Sequence, residues 1–483
     1  MSYITQQRHW RGRGNWRGYQ RGSFRRPQLQ VEQELPELPM GPLIHELEVG
    51  VFTSESMQYR TIARITDCTV VASWNWTNAR APEMLIPGKF KDIYFCMPPK
   101  WSPPAQVERL SQDSGEYLRD RNAAKFPAHP IEPAVFAAMM ESPEACGSDA
   151  VDIVACSSSL GNLLRFIRGE EKAFRILVEK VGNTVFFIRR EKSPTEKIPD
   201  VKGYGHTFPE AYTIWDRDVK SSTCHQRVLR YSLGGLQCLV RFEADGFISG
   251  DADSLTKRAA QRDTREQSSL SNEASLVTTF GEVGVRNESL ASETPKDGLT
   301  FKQAGRHVPQ HQVFDLKTRA EWKKDQDTTT QELPRMWLTQ LDKFIMAYHK
   351  DGIFNDVEIH NVRDKVLQWE RSNSEAIAGL LSLIRRIIST AERIEEGKFE
   401  VCHMKDRVGV LQFRRQLPDA GSALSPETRD KWLTVNEIDQ ENDDSESDGS
   451  SIGGVEWDIG GADYTDCSTV CGYCGQCAPG KTT

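Results

Sequence analysis

The 483-residue chain has no run of about 18 apolar residues, which argues against a membrane-spanning helix. Its arginine-rich N-terminus has no apolar stretch behind it and does not read as a secretory signal. The sequence His-Glu-x-x-His is absent, which removes the common zinc-protease helix. The only adjacent aspartate pair is Asp443-Asp444, in an acidic tail. A prenyl diphosphate synthase needs paired Asp-rich motifs on helices, and the all-helical pattern it requires is also missing, so that activity is disfavoured. Regular alternation of strand and helix, as in a doubly wound fold, is not seen either.

Charge is unevenly spread. Residues 1–31 contain no acid but seven arginines, whereas residues 437–448 hold seven acids. The overall net charge of −8 hides this split. Residues 8–26, RHWRGRGNWRGYQRGSFRR, interleave four Arg-Gly steps with Trp10, Trp16, Tyr19 and Phe24. Guanidiniums neutralise phosphates, aromatic rings stack on bases, and glycine keeps such a segment adaptable. Arg11, Arg13, Arg17 and Arg21 are therefore candidate RNA contacts; the plain alternative is a solubilising tail.

Most of the eleven cysteines are scattered and read as reduced intracellular thiols. Cys467, Cys471, Cys474 and Cys477 cluster near the C-terminal end. Four thiolates at short spacing suit tetrahedral zinc; a flexible reduced tail is the alternative. The acidic serine-rich stretch before them, residues 416–466 taken broadly, reads as a linker.

The mean hydropathy of −0.55 suggests disordered tails and loops around a core. Residues 1–31 form the basic tail, 32–111 an extended, irregular packing segment, and 112–415 the core. Within the core, residues 249–306 are polar and aperiodic and read as an insertion. TVFFIRR at 184–190 is strand-like, and residues 227–242 form a hairpin about Gly234-Gly235. Residues 376–396 carry a helical apolar stripe, Ile377, Leu380, Leu381, Ile384, Ile387 and Ile388. FIMAYH at 344–349 fits either the continuation of a helix or a strand. The class is α+β, with a central mixed sheet flanked by helices.

Chemistry is concentrated in LVRFEADGFI, residues 239–248. Glu243 and Asp245 are two apart on a strand and share a face. Such a pair repels unless a positive partner neutralises it. Asp315 and Lys317, in HQVFDLKT, share a face by the same argument, and Glu210 lies upstream in GYGHTFPEAY. Clustered carboxylates suit Mg²⁺ or Mn²⁺, and a neighbouring lysine can orient water or balance charge. Acid-x-acid followed by acid-x-Lys is the pattern of PD-(D/E)XK nucleases; a rim of solvated ion pairs is the competing interpretation.

The wider order of motifs resembles the DXO family of RNA 5′-end decapping nucleases, which includes the Rat-exonuclease-interacting proteins. Gly203-Tyr204 with Phe208-Pro209-Glu210 resembles its Gly-Tyr-x-Phe-Glu motif. Glu243-Ala244-Asp245 resembles Glu-x-Asp, Asp315-Leu316-Lys317-Thr318 resembles Glu-Leu-Lys-Thr, and Trp337-Leu338-Thr339-Gln340 resembles the Trp-x-Gln helix. The resemblance implies a nuclease core with divalent metal on Glu210, Glu243, Asp245 and Asp315, and a catalytic shell of Lys317, Gln340 and Glu210. It implies decapping, pyrophosphate release, NAD-cap removal or 5′-to-3′ trimming, a possible 5′-3′ exoribonuclease partner, and a nuclear or cytoplasmic location. The chain departs from the family where an arginine is expected: residues 155–160 read Ala-Cys-Ser-Ser-Ser-Leu. Arg165 and Arg168 are the nearest candidates to replace it. A non-catalytic RNA-binding scaffold of the same fold is the second expectation.

Overall fold

The computed structural model describes residues 38–87, 97–170, 172–199, 201–249 and 298–435. The Arg-Gly stretch with its four candidate arginines, residues 436–466 of the acidic stretch, the four clustered cysteines and most of the 249–306 insertion lie outside the described residues.

Strands in chain order are β1 Leu43–Glu48, β2 Ile65–Thr77, β3 Glu83–Ile86, β4 Lys100–Trp101, β5 Ile153–Cys156, β6 Phe174–Val181, β7 Thr184–Arg189, β8 Thr213–Ile214, β9 Ser222–Leu233, β10 Leu236–Ala244, β11 Gly246–Phe247, β12 Thr300–Gln303, β13 Val313–Ala320, β14 Lys343–Lys350, β15 Ile353–Asn361, β16 Lys398–His403 and β17 Val410–Arg415. Helices are α1 Val49–Glu55, α2 Arg121–Lys125, α3 Glu132–Glu141, α4 Ser157–Ile167, α5 Thr207–Tyr212, α6 Thr328–Thr339, α7 Arg363–Ser372, α8 Ser374–Arg393 and α9 Pro426–Thr434. Among the described residues, no helix is long and apolar enough to cross a membrane.

Eleven strands form one mixed sheet in the order β1-β17-β16-β6-β7-β5-β10-β9-β2-β3-β12, and six form a second, β15-β14-β13-β11-β4-β8. The expected mixed α/β class with helices around the sheets is what is observed. Strand β7 shows why the large sheet needs helices on both faces. Val185 and Phe187 enter one apolar cluster with α4, α6 and α8, while Phe186 and Ile188 enter another with α3 and α9. Period-two alternation delivers an apolar residue to each side in turn. The stripe expected on α8 is buried, with Ile377, Leu380, Leu381, Ile384 and Ile387 at 0–1 % exposure.

The β9–β10 hairpin turns on Gly234 and Gly235, at φ 55° and 86°, with Leu233 opposite Leu236. Both turn residues need positive φ, the reason a Gly-Gly step serves there.

Three expectations differ from the structure. Organised chain begins well before residue 112: β1, α1, β2 and β3 all belong to the main fold, and β2 lies inside the large sheet, antiparallel to β9. The last seven residues of β2 are all buried, and polar Ser73, Asn75 and Thr77 alternate with apolar Ala72, Trp74 and Trp76, so its polar face is covered rather than solvent-facing. Secondly, residues 300–303 of the supposed insertion form a strand parallel to β3. Thirdly, the start of the supposed linker is folded: Pro426–Thr434 form α9, with Trp432 fully buried. Strands β10 and β13 are in different sheets. The chain leaves β10, passes Asp245 and enters the second sheet as β11, which pairs with β13. The open alternative at 344–349 resolves as strand: α6 stops at Thr339, and Gln340 takes a left-handed φ of 48°.

A buried polar cluster joins β2 to β9. Asn75 donates from Nδ2 to the Met97 carbonyl (3.0 Å) and Ser222 Oγ (2.9 Å). Its Oδ1 therefore accepts from His225 Nδ1 at 2.6 Å, which assigns that tautomer. Burial, then the charges of Arg227 and His307, hold His225 well below its ordinary pKa of 6.5. The folded state keeps the ring neutral, whereas the unfolded chain protonates it near 6.5. Stability from this group is complete above that pH and falls below it, by up to about 1.4 kcal/mol per pH unit. Thermal unfolding at pH 7.5 and 5.5 should show the loss, and His225→Gln should reduce it; an identical pH slope in the variant would contradict the assignment.

Candidate phosphate-binding pocket

The site forms where β10 gives way to β11. Glu243 is exposed, Ala244 is buried and Asp245 turns back outward, as the strand period requires. Gly246 is forced by crowding: a Cβ there would lie 2.5 Å from Phe314 Cζ and 2.7 Å from the Pro99 carbonyl oxygen. The antiparallel register puts Gly246 opposite Phe314, so the preceding Asp245 comes alongside Asp315. Asp245 Oδ2 accepts the Leu316 N–H at 2.7 Å, and Asp315 Oδ1 accepts the same N–H at 2.8 Å. Burial, then the Asp315 charge, pushes the Asp245 carboxyl well above the carboxylate range.

The positive partners are arginines. On α6, Arg335 makes a short ion pair with Asp315 and a second, at 3.2 Å, with Glu332. Lys317 meets the same Glu332 at 3.5 Å, so Asp315, Arg335, Glu332 and Lys317 form a chain of alternating charge. Burial opposes the Arg335 charge, but Asp315, Glu332 and Asp245 together raise its pKa. At the other end, Arg121 lies 3.6 Å from Glu243 and donates to the Thr223 carbonyl at 3.1 Å. Its charge is reinforced first by Glu243 and, more weakly, by Asp245 and Glu210.

Arg121 is held in place by a second polar chain. Asp120 caps α2 by accepting from Asn122 and Ala123 N–H, each at 3.0 Å. Arg241 reaches Asp120 at 3.4 Å and donates to Gln226 Oε1 at 2.7 Å. Gln226 in turn donates to Glu243 at 3.1 Å. Beside them, His206 stacks on Tyr117 with centroids 3.5 Å apart. Its Nδ1 is 3.2 Å from Asp113, which also accepts from Thr207 N–H at 2.9 Å. Burial works against the Asp113 charge, but the Thr207 and His206 hydrogen bonds outweigh it and keep the acid ionised.

These groups surround a cavity of about 260 Å³ lined by Leu118, Arg119, Arg121, His206, Glu243, Asp245 and Arg335. Three guanidiniums face two carboxyls, and one of those carboxyls is pushed toward its neutral form. A forked guanidinium is well shaped for bidentate contact with phosphate.

Glu243, Asp245, Asp315 and Lys317 thus belong to one neighbourhood. Among the described residues, no three His, Cys, Asp or Glu side chains converge to hold an ion in this arrangement. Asp245 and Asp315 spend oxygens on the Leu316 N–H, Asp315 is met by Arg335, and Glu243 by Gln226 and Arg121. Glu210 stands exposed on α5. The donor set therefore does not fit a divalent cation in this arrangement.

Gln340 does not line the cavity. It lies just past α6, donates to the Trp337 carbonyl at 2.6 Å and accepts from Arg363 at 3.1 Å, contacts of a helix cap. Arg165 is bonded to Asn162, and Arg168 pairs with Glu170 at 3.0 Å; neither lines the cavity. At the stretch lacking the family arginine, Cys156 Sγ lies 3.1 Å from the Ser158 and Ser159 hydroxyls.

Sequence reasoning did not single out Arg119, Arg121, Arg335 or Glu332. Arg335 stands two residues before the Trp337–Gln340 motif and three residues after Glu332, a spacing that faces both side chains the same way on a helix. Arg121 followed Asp120, an acid well suited to cap a helix. Neither signal indicates which distant carboxylate is met.

A family model described as Domain of unknown function (DUF8563) matches residues 53–409. No curated protein matches the chain. Among solved structures, the chain is similar to Scheffersomyces stipitis Rai1 in complex with (3′-NADP)+ and calcium ion, at 11% identity over 84% of this chain and 99% of that one, TM-score 0.47. It is similar to Candida albicans Rai1 in complex with pU5-Mn2+, at 11% identity over 82% and 99%, TM-score 0.44. It is also similar to K. lactis Dxo1 in complex with manganese, at 8% identity over 80% and 97%, TM-score 0.40.

Proposed function

The chain belongs to the DUF8563 family, a domain of unknown function, and we propose that it binds the 5′ end of an RNA with the terminal phosphate in the arginine-lined pocket. The observation that carries this reading is the convergence of Arg119, Arg121, Arg335 and His206 on one cavity. Guanidinium groups on fixed elements favour a compact anion with several acceptor oxygens. The Arg-Gly and aromatic N-terminal stretch supplies the preference for RNA through phosphate neutralisation and base stacking. The ordered resemblance to the DXO family directs the reading to the 5′ end.

The test is a filter-binding comparison of one RNA bearing a 5′-triphosphate, a 5′-monophosphate or a 5′-hydroxyl. Tighter binding of both phosphorylated forms is expected, by about tenfold or more for a single charged hydrogen-bonded contact. Equal affinity for all three would refute the assignment.

Hydrolysis at that end is a second reading, favoured by the abutting Asp245 and Asp315 with Lys317 on the same strand face as Asp315. Incubation with 5′-triphosphate, NAD-capped and cap-analogue RNA in Mg²⁺ or Mn²⁺ should then release product, and Asp245→Ala should abolish it. Absence of product would leave the protein a binding scaffold, and equal turnover by the variant would refute catalysis at Asp245.

A further inference from the structure

We infer that Arg335 and Arg121 stand where a divalent cation would otherwise neutralise the acidic cluster, so that the pocket captures a terminal phosphate without any metal ion. The inference rests on the 5′-end reading above and specifies how that site works.

Two carboxylates side by side need positive charge nearby. Here it is covalently attached to the chain. Arg335 is paired to Asp315 and Glu332, and Arg121 to Glu243. A guanidinium carries five N–H donors. Arg335 uses Nε on Glu332 and one terminal nitrogen on Asp315, and Arg121 uses Nη1 on Glu243 and the Thr223 carbonyl. Each retains further N–H groups, and both side chains line the cavity. The acids therefore act as positioning residues: they clamp one edge of each fork and leave donors for an anion. An ion seated on Asp315 would first have to displace Arg335, losing charge-assisted bonds already made.

The asymmetry of the site fits this arrangement. Arg335 has 43% of its side chain exposed, whereas Asp315 has 6%. The base of the ion pair is enclosed and its cationic end is open to a ligand. Arg335 comes from α6 and Arg121 from α2, so the two forks approach from separate elements. A single phosphate group between them would be held from two sides.

Fluorescence anisotropy of the full chain decides the point. The probes are a ten-nucleotide RNA with a 5′-monophosphate and the same RNA with a 5′-hydroxyl, each measured in EDTA and in millimolar Mg²⁺. The phosphorylated RNA is expected to bind about tenfold tighter than the hydroxyl form, with the same ratio in both buffers. Arg335→Gln and Arg121→Gln are each expected to shrink the ratio toward one. A ratio that appears only with Mg²⁺ overturns the inference while leaving the 5′-end reading intact. A ratio of one in both buffers refutes the 5′-end reading itself. The buffer comparison uses the unaltered protein, so it stands even where a variant does not fold.

Discussion

Replacing Trp337 by alanine is expected to lower the free energy of unfolding by about 3–5 kcal/mol, and to detach the pocket's main cation as it does so. Trp337 is fully buried, packs on Trp369 with ring centroids 5.5 Å apart, and donates its indole N–H to Glu370 Oε2 at 2.7 Å. That oxygen also accepts the Ile65 N–H at 3.0 Å, tying α6 and α7 to the start of β2. Helix α6 depends on this anchor because Pro334 lies inside it and removes a backbone donor. Packing, rather than backbone propensity, holds Arg335 two residues before the tryptophan. Urea unfolding measures the effect. Trp337→Phe, which keeps much of the volume and loses the N–H, should fall between wild type and alanine. A loss under about 1 kcal/mol for Trp337→Ala would show that α6 does not rely on this ring.

The second large effect is expected from Arg335→Glu. It would set a new carboxylate against Asp315 and Glu332, with Asp245 adjacent. Removing one partner of a buried pair is costly, but nearly half of the Arg335 side chain is exposed. The stability loss is therefore put at about 1–3 kcal/mol rather than the full buried-pair value. Phosphate binding should suffer more, since an attracting group becomes a repelling one. A fall of about a hundredfold in affinity for 5′-phosphorylated RNA corresponds to about 2.7 kcal/mol. Adding Asp315→Asn should restore part of the stability, because it removes one of the clashing charges. A double-mutant cycle by thermal unfolding reads the coupling, expected at about 0.5–3 kcal/mol for groups in contact. Strict additivity would mean that Arg335 and Asp315 do not interact in solution.

Much of the local structure was legible from short-range pattern. The Gly-Gly turn between two apolar runs marked the β9–β10 hairpin, and the 3.6-residue stripe marked α8, because both signals are written in adjacent residues. The shared face of Glu243 and Asp245 was legible too, since alternation is a property of a single strand. In segment 65–77 the alternation from Ala72 to Thr77 was there to be read, but its burial was not: the face of Ser73, Asn75 and Thr77 looks solvent-exposed in the sequence and is covered in the fold. The surroundings of Gln340 were not legible, because a motif carries no backbone angle, and its left-handed φ after α6 goes with contacts to Trp337 and Arg363.

The identity of the positive partner is the clearest division. Residue order alone established that the acids at 243 and 245 would have to be neutralised, because their spacing on a strand brings like charges to one face. It could not say by what. Arg121 precedes the first of these acids by more than a hundred residues, and Arg335 follows Asp315 by twenty, on helices that meet the acids only once two sheets have formed and Gly246 has let β11 close against Phe314. Charge demand is a local property of the chain. Which charge answers it depends on long-range packing, which here brings Arg121 to Glu243 and Arg335 to Asp315.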